Sequence, residues 1–302
     1  MEHVGFIGLG IMGAPMAENL CKAGIVPYVY DLNPAAVARL TGQGAKAASP
    51  AELGGCCDVV FTILPNGAIV DSVLFGADGV AGALKPGALV VDMSSVTPEQ
   101  SVSFARRLEE RGVGFLDAPV SGGEPKAIDG TLAFMVGGGE EDFRRAEPYF
   151  RIMGASWLLV GDCGCGSVTK LANQVIVNLT IAAVSEALVL ASKAGADPEK
   201  VYQAIRGGLA GSAVLDAKAP MMLARNFVPG GKISINLKDI KNVMASAHSL
   251  DVPLPMTAQL LEIMQSLKVA GHLEDDHSGI VQYFEQLAGV QVQAGGAVRS
   301  GE

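Results

Sequence analysis

From Val4 to about Val160, short apolar runs rich in β-formers alternate with stretches of helical periodicity. Val4–Ile7, Tyr28–Tyr30, Val59–Ile63, Leu89–Asp92, Phe115–Asp117, Phe134–Val136 and Trp157–Val160 predict strands. The runs are continuous rather than alternating, which suits strands covered by helices on both faces, and strand–helix alternation predicts a doubly wound parallel sheet. After Gly161 the alternation stops. Ser167 to Ala194 predicts one long helix, with apolar residues at Val168, Leu171, Val175, Leu179, Ala182 and Ala183 and a C-cap at Gly195. Helical periodicity continues through 198–207, 214–225, 237–250 and 255–270 without a strand, so the second domain is expected to be all-α. The stretch 291–302 is rich in Gly, Ala and polar residues and predicts a flexible tail.

Composition narrows the partners. With 302 residues, 49% hydrophobic and 18% charged, the chain can bury a large core, and its length suggests two domains. A net charge of −9 with no Lys/Arg run argues against sequence-independent binding to nucleic acid or an anionic membrane. An anionic substrate would need a local positive site. The mean hydropathy is +0.35, yet no uninterrupted apolar run reaches the roughly 18 residues of a spanning helix. Met1-Glu2-His3 leads straight into an apolar strand rather than a secretory signal, so a cytoplasmic protein is expected. The cysteines number five, and Cys163-Gly-Cys165 has no second pair to complete a metal site. His272-Leu-Glu-Asp-Asp-His277 has the character of a solvated loop, and no metal is expected.

Gly8-Leu-Gly10-Ile11-Met12-Gly13 follows the first strand and opens a helix expected over 12–23. In that context the first glycine permits a tight turn, the second lets a pyrophosphate approach the backbone, and the third lets helix and strand pack closely. Helix N-terminal N–H groups would hold the phosphates. Asp31 closes the second strand at about the separation where a carboxylate meets the adenosine ribose, and Leu32 supplies no guanidinium for a 2′-phosphate. NAD(H) is therefore expected over NADP(H). The competing possibility is that Asp31 only caps the turn at Asn33-Pro34. Leu64-Pro65-Asn66 and Ser94-Ser95 follow later strands at the edge where ligands of open α/β sheets lie, and are candidate cofactor contacts. The expected architecture is an α/β Rossmann-type domain over 1–162, an all-α domain over 163–290 and a long interdomain helix.

Further segments gather Gly, Ser, Lys and Asn beyond the needs of packing. In Asp117-Ala-Pro-Val-Ser121-Gly122-Gly123-Glu124-Pro125-Lys126, a Ser-Gly-Gly turn at a strand end offers a hydroxyl and unhindered N–H groups to a carboxylate. In Gly164-Cys-Gly-Ser-Val-Thr-Lys170-Leu-Ala-Asn173-Gln174, the lysine and the two amides stand at i, i+3 and i+4 on one helix face, which Asn178 continues. An ammonium there can protonate a carbonyl oxygen or take back a hydroxyl proton, and near a helix start it opposes the dipole, which favours function over a solvated lysine. Lys238, in Asn236-Leu-Lys238-Asp239, opens a helix of the second domain.

On these residues the chain resembles the β-hydroxyacid dehydrogenase family from Val4 to about Val290. Gly5 to Gly13 is similar to the family's opening, Asp117 to Thr131 to its substrate-binding signature, and Gly164 to Gln174 to its catalytic helix. The resemblance implies Lys170 as acid/base, Ser121, Gly122 and Gly123 as substrate anchors, Lys238 beside the cofactor, and a homodimer or homotetramer. Its substrate would be a small carboxylate-bearing aldehyde or hydroxy acid. Many members carry Asn four residues after the lysine; this chain has Gln174 there and Asn173 before it, which leaves the substrate amide open between the two. A catalytically silent NAD-binding protein would share the glycine turn, but a sensor needs no proton donor such as Lys170.

Overall fold

The computed structural model describes residues 2–295 and, in backbone only, Val298–Arg299. The chain divides into two units, Met1–Lys170 and Leu171–Glu302, a division that falls inside a helix.

The first unit runs β1 (Val4–Ile7), α1 (Gly13–Lys22), β2 (Tyr28–Tyr30), α2 (Pro34–Thr41), β3 (Lys46–Ala47), α3 (Pro50–Cys56), β4 (Val59–Thr62), α4 (Gly67–Phe75), β5 (Leu89–Asp92), α5 (Pro98–Glu109) and β6 (Gly114–Asp117). It continues through β7 (Val120–Ser121), α6 (Gly123–Asp129), β8 (Leu132–Gly137), α7 (Glu140–Met153), β9 (Gly154–Gly161) and the start of α8 (Cys165–Lys193). The sheet order is β3-β2-β1-β4-β5-β6-β8-β7, with β9 on β8. Continuous apolar strands feed two cores because successive residues face opposite sides. Val59, Phe61, Leu89 and Val91 pack with Met16, Leu20 and Phe150, whereas Val60 and Val90 pack with Leu53, Leu74 and Leu108.

The sheet is parallel from β3 to β6, but β8 runs antiparallel to β6 and β7. The reason lies in the connection. A parallel return needs a crossover long enough to retrace the sheet, and α6, with 7 residues, spans only about 10 Å. β3 and β7 are 2-residue strands without an apolar run, so periodicity does not reveal them.

The second unit contains the rest of α8 with α9 (Pro198–Ile205), α10 (Ala213–Leu223), α11 (Ile233–Ser249), α12 (Pro255–Val269) and α13 (Val281–Ala288). Its core includes Ile181, Leu188, Leu215, Met222, Ile240, Met264 and Ile280. Part of the expected tail is ordered: β10 (Val290–Gln291) pairs antiparallel with β11 (Val298–Arg299), and the buried Val292 donates its N–H to Glu285 Oε1 at 2.7 Å. Residues 296, 297 and 300–302 of that stretch lie outside the described residues. The stretch 272–277 departs from a solvated loop as well. Asp276 is fully buried, accepting from Lys218 Nζ and from the N–H groups of Gly230, Gly231 and Ser278.

By length and composition α8 is apolar enough to cross a membrane, which the run length does not reveal because polar residues interrupt it. Two of those residues bond back into the helix: Asn178 Nδ2 donates to Gln174 O and Ser185 Oγ to Ile181 O. The core helix of a globular domain has the same composition.

Candidate active site

The glycine turn has the geometry of a dinucleotide cradle. Gly8 sits at φ +99°, where a Cβ would come within 2.2 Å of Ile63 O, and a Cβ on Gly13 would lie 1.9 Å from Gly8 O. Only glycine permits those contacts, because they join strand, turn and helix backbones directly. Gly10 differs: it is exposed and a Cβ there meets nothing within 4 Å, so its bareness leaves room outside the fold. That open face at the start of α1 is where a pyrophosphate fits. Exposed Ile11 and half-buried Met12 flank it.

Asp31 is bolted to this turn. Its Oδ2 accepts from Leu9 N at 2.6 Å and its Oδ1 from Asn33 N at 2.7 Å. The carboxylate therefore both ties the turn at Asn33 and stands beside the glycine motif. The turn-capping role weighed from the sequence is seen in the bond to Asn33 N. Leu32 projects into solvent at 87% exposure.

A row of buried polar residues runs along the carboxyl edge of the sheet. Thr62, Asp92 and Asp117 are register partners at the ends of β4, β5 and β6. Asp92 Oδ1 accepts from Thr62 Oγ1, Ser94 Oγ and Ser94 N, while its buried Oδ2 has no hydrogen-bond partner among the described residues. Burial pushes its carboxyl up to about 6, against those hydrogen bonds. Ser94 Oγ in turn accepts from Leu64 N at 2.8 Å. Asn66 Oδ1 caps α4 at Ile69 N, so its oxygen serves the helix; Pro65 is exposed and Ser95 half-buried at the same edge.

Asp117 holds the start of α8. Its two oxygens accept from Gly164 N at 2.8 Å and Ser167 N at 2.6 Å, and burial raises its carboxyl despite these donors. The anion at a helix N-terminus fixes the first turn, one turn ahead of Lys170. Lys170 Nζ donates to Val120 O at 2.8 Å. Val120 immediately precedes Ser121, Gly122 and Gly123, and the two glycines take φ +142° and +69°, which side-chain-bearing residues rarely adopt. The structure thus brings Lys170 to the Ser-Gly-Gly turn. Lys126 lies against Gly122, where a Cβ would meet its stem at 2.7 Å.

In the second unit, Gln174 is buried and committed to structure. Its Nε2 donates to Asp239 Oδ2 at 2.6 Å and Asn236 Oδ1 at 3.3 Å, and its Oε1 accepts from Asn173 Nδ2 at 3.0 Å. Asn173 is only half-buried. Lys238 Nζ lies 2.9 Å from Asp239 Oδ1, so one carboxylate joins the lysine of α11 to the amide of α8. Among the described residues no group of three His, Cys, Asp or Glu side chains could hold a metal ion.

Asn19, Asp92, Asn236 and Asp239 went unassigned in the sequence. Asn19, buried on α1, donates to Ala127 O and Ile128 O of α6 and so ties the glycine-motif helix to the helix after the Ser-Gly-Gly turn. The available signal was a polar residue inside an apolar periodic run, where it has to find a partner.

Comparison with known proteins gives the same outline. A family model for the NAD-binding domain of 6-phosphogluconate dehydrogenase matches residues 3–163. A second, for the NAD-binding region of NADP-dependent 3-hydroxyisobutyrate dehydrogenase, matches residues 164–284. The chain is 44% identical over 285 residues to 2-hydroxy-3-oxopropionate reductase of Escherichia coli, covering 94% of this chain and 98% of that one. It is 37% identical to 3-hydroxyisobutyrate dehydrogenase of Pseudomonas aeruginosa over 85% of this chain and 89% of that one. Among solved structures, Mycobacterium tuberculosis 3-hydroxyisobutyrate dehydrogenase with L-serine superposes with a TM-score of 0.87 at 31% identity, covering 94% of this chain and 99% of that one.

Proposed function

The chain belongs to the β-hydroxyacid dehydrogenase family, and from that premise we propose that it reduces tartronate semialdehyde (2-hydroxy-3-oxopropanoate) to glycerate with NADH. It is an oxidoreductase acting on a CH–OH group, and its cofactor is a nicotinamide dinucleotide. The observation that carries the reading is the 2.8 Å hydrogen bond from Lys170 Nζ to Val120 O. It holds a proton donor at the turn best suited to a carboxylate.

The bound nicotinamide supplies the hydride that the aldehyde carbon receives. This chain's residues do the rest. The Ser121 hydroxyl and the N–H groups of Gly122 and Gly123 hold the substrate carboxylate. Lys170 gives a proton to the aldehyde oxygen as the alcohol forms, and in oxidation takes it back. Asn173 orients the substrate; Gln174, whose amide is engaged with Asp239 and Asn236, sets the helix that carries both. Asp31 accepts the ribose hydroxyls, and the Gly8–Gly13 turn takes the pyrophosphate. Leu64, Pro65, Asn66 and Ser95 at the sheet edge, and Lys238 on α11, would contact the cofactor. The enzyme acts in the cytoplasm as a homodimer or homotetramer, which light scattering on the purified protein tests.

Steady-state kinetics with NADH against a panel of C2 to C4 oxo acids tests the substrate. Tartronate semialdehyde should give the highest kcat/KM. Should methylmalonate or succinate semialdehyde exceed it clearly, the enzyme is a 3-hydroxyisobutyrate dehydrogenase or a broader semialdehyde reductase.

A further inference from the structure

We infer that Asp92 and Ser94 form a buried relay that positions the dinucleotide turn. The relay begins at a carboxylate whose cost is high for stability alone. Asp92 is fully buried, with three donors on Oδ1 and, among the described residues, none on the equally buried Oδ2. A buried anionic oxygen left unpaired is unfavourable, and native structures retain such groups where they serve something else.

What it serves follows from the direction of each bond. Ser94 has one hydroxyl proton, and it goes to Asp92 Oδ1 at 2.6 Å. The serine oxygen is thereby turned as an acceptor toward Leu64 N at 2.8 Å. Leu64 is the second residue beyond β4, and the backbone it anchors is the one against which Gly8 closes. A Cβ on Gly8 would meet Ile63 O at 2.2 Å and Leu64 Cδ2 at 3.2 Å. Gly8 N is also pinned on its other side, donating to Tyr30 O at 3.0 Å. The first glycine of the motif thus sits between β2 and the segment that the relay holds. Moving Leu64 by a few tenths of an ångström moves the wall of the turn. The next residue is Pro65, and Asn66 is fixed at Ile69 N, so the displacement has little chain in which to dissipate.

Asp92 and Ser94 are therefore positioning residues. This rests on the reading that the Gly8–Gly13 turn binds the dinucleotide. The test measures NADH dissociation constants by fluorescence titration of the full chain, without substrate. Ser94→Ala removes the acceptor for Leu64 N and should weaken NADH binding about five- to tenfold, the worth of one hydrogen bond in a binding equilibrium. Asp92→Ala should do the same. Asp92→Asn keeps an oxygen where Oδ1 stands and should restore most of the affinity. Val90→Ala, which truncates a buried residue of the same strand that makes none of the relay's hydrogen bonds, should lose stability while binding NADH like wild type. Hydrogen exchange of the Leu64 amide in the cofactor-free protein provides a second readout, faster in Ser94→Ala than in Val90→Ala. Gly10→Ala separates the two levels. If it leaves NADH affinity unchanged, the turn reading falls and the relay with it. If it weakens binding while Ser94→Ala binds like wild type, or if Val90→Ala weakens binding as much as Ser94→Ala, the relay alone is overturned.

Discussion

Replacing Asp31 with Asn and Leu32 with Arg is expected to move the enzyme from NADH toward NADPH. In the wild type, Asp31 cannot swing aside, because its oxygens are held by Leu9 N and Asn33 N at 2.6 and 2.7 Å. A 2′-phosphate adds about 1.5 to 2 negative charges. At about 4 Å, repulsion per unit charge is about 1 kcal/mol in bulk water and about 4 kcal/mol at the effective dielectric of a protein surface. Leu32 offers no compensating charge, and Arg39 is paired with Glu18. The wild type should therefore disfavour NADPH by at least about 1.5 kcal/mol, roughly tenfold or more. Asp31→Asn removes the repulsion while keeping an acceptor for the turn, and Leu32→Arg adds a fork for the phosphate. The assay is kcat/KM for NADH and NADPH in the wild type, each single variant and the pair. Equal wild-type efficiency with both cofactors would show that Asp31 does not face the ribose and would refute the reasoning.

Other outcomes follow from the same geometry. Gly10→Ala, with open space for its methyl, should unfold at close to the wild-type temperature yet bind NADH weakly; Gly13→Ala, whose Cβ would lie 1.9 Å from Gly8 O, should lower the unfolding temperature markedly. Lys218→Met strands the buried Asp276 and should cost about 3–5 kcal/mol in urea unfolding. The burial of Asp276 would raise its carboxyl, but His277 and Lys218 outweigh it and lower it. Its contribution is accordingly present at neutral pH and lost as pH falls through the lowered value, and the variant's deficit should shrink in acid. Asp92 has the opposite sign. Its carboxyl is raised from 3.8 to about 6, so the folded state holds the proton more tightly and ionisation opposes folding. The penalty is absent below about pH 4 and complete above about pH 6, worth about 3 kcal/mol. Relative to wild type, Asp92→Asn should gain stability between pH 4 and pH 7.5; a gap that does not change with pH would contradict this.

Much of this was legible because burial on both faces makes strands continuous and apolar. β1, β2 and β5 begin and end where their runs do, and Gly8, Gly10 and Gly13 stand where a tight turn needs them. The antiparallel β8 was not legible, since its own residues are as apolar as those of a parallel strand and the reversal is set by the short α6 before it. The fate of the two amides was hidden for a different reason. Helical spacing puts Asn173 and Gln174 near Lys170, but Gln174 is buried by Asn236 and Asp239, more than sixty positions away in sequence. Local periodicity carries no information about such partners. Asp92 and Asp117 look like the polar ends of strands, and only the register across β4, β5 and β6 makes them one row.

The central claim is that Lys170 is the proton donor, and turnover of Lys170→Met at saturating NADH and tartronate semialdehyde tests it most directly. Met keeps the aliphatic stem on α8 and removes the ammonium that donates to Val120 O. NADH affinity, measured separately by fluorescence, should stay near wild type, while kcat falls by about 10²- to 10⁴-fold at every pH. Lys126→Met, which removes a neighbouring cation at the same turn, should retain most of the turnover. A Lys170→Met enzyme that turns over near the wild-type rate across pH would mean that the proton comes from elsewhere.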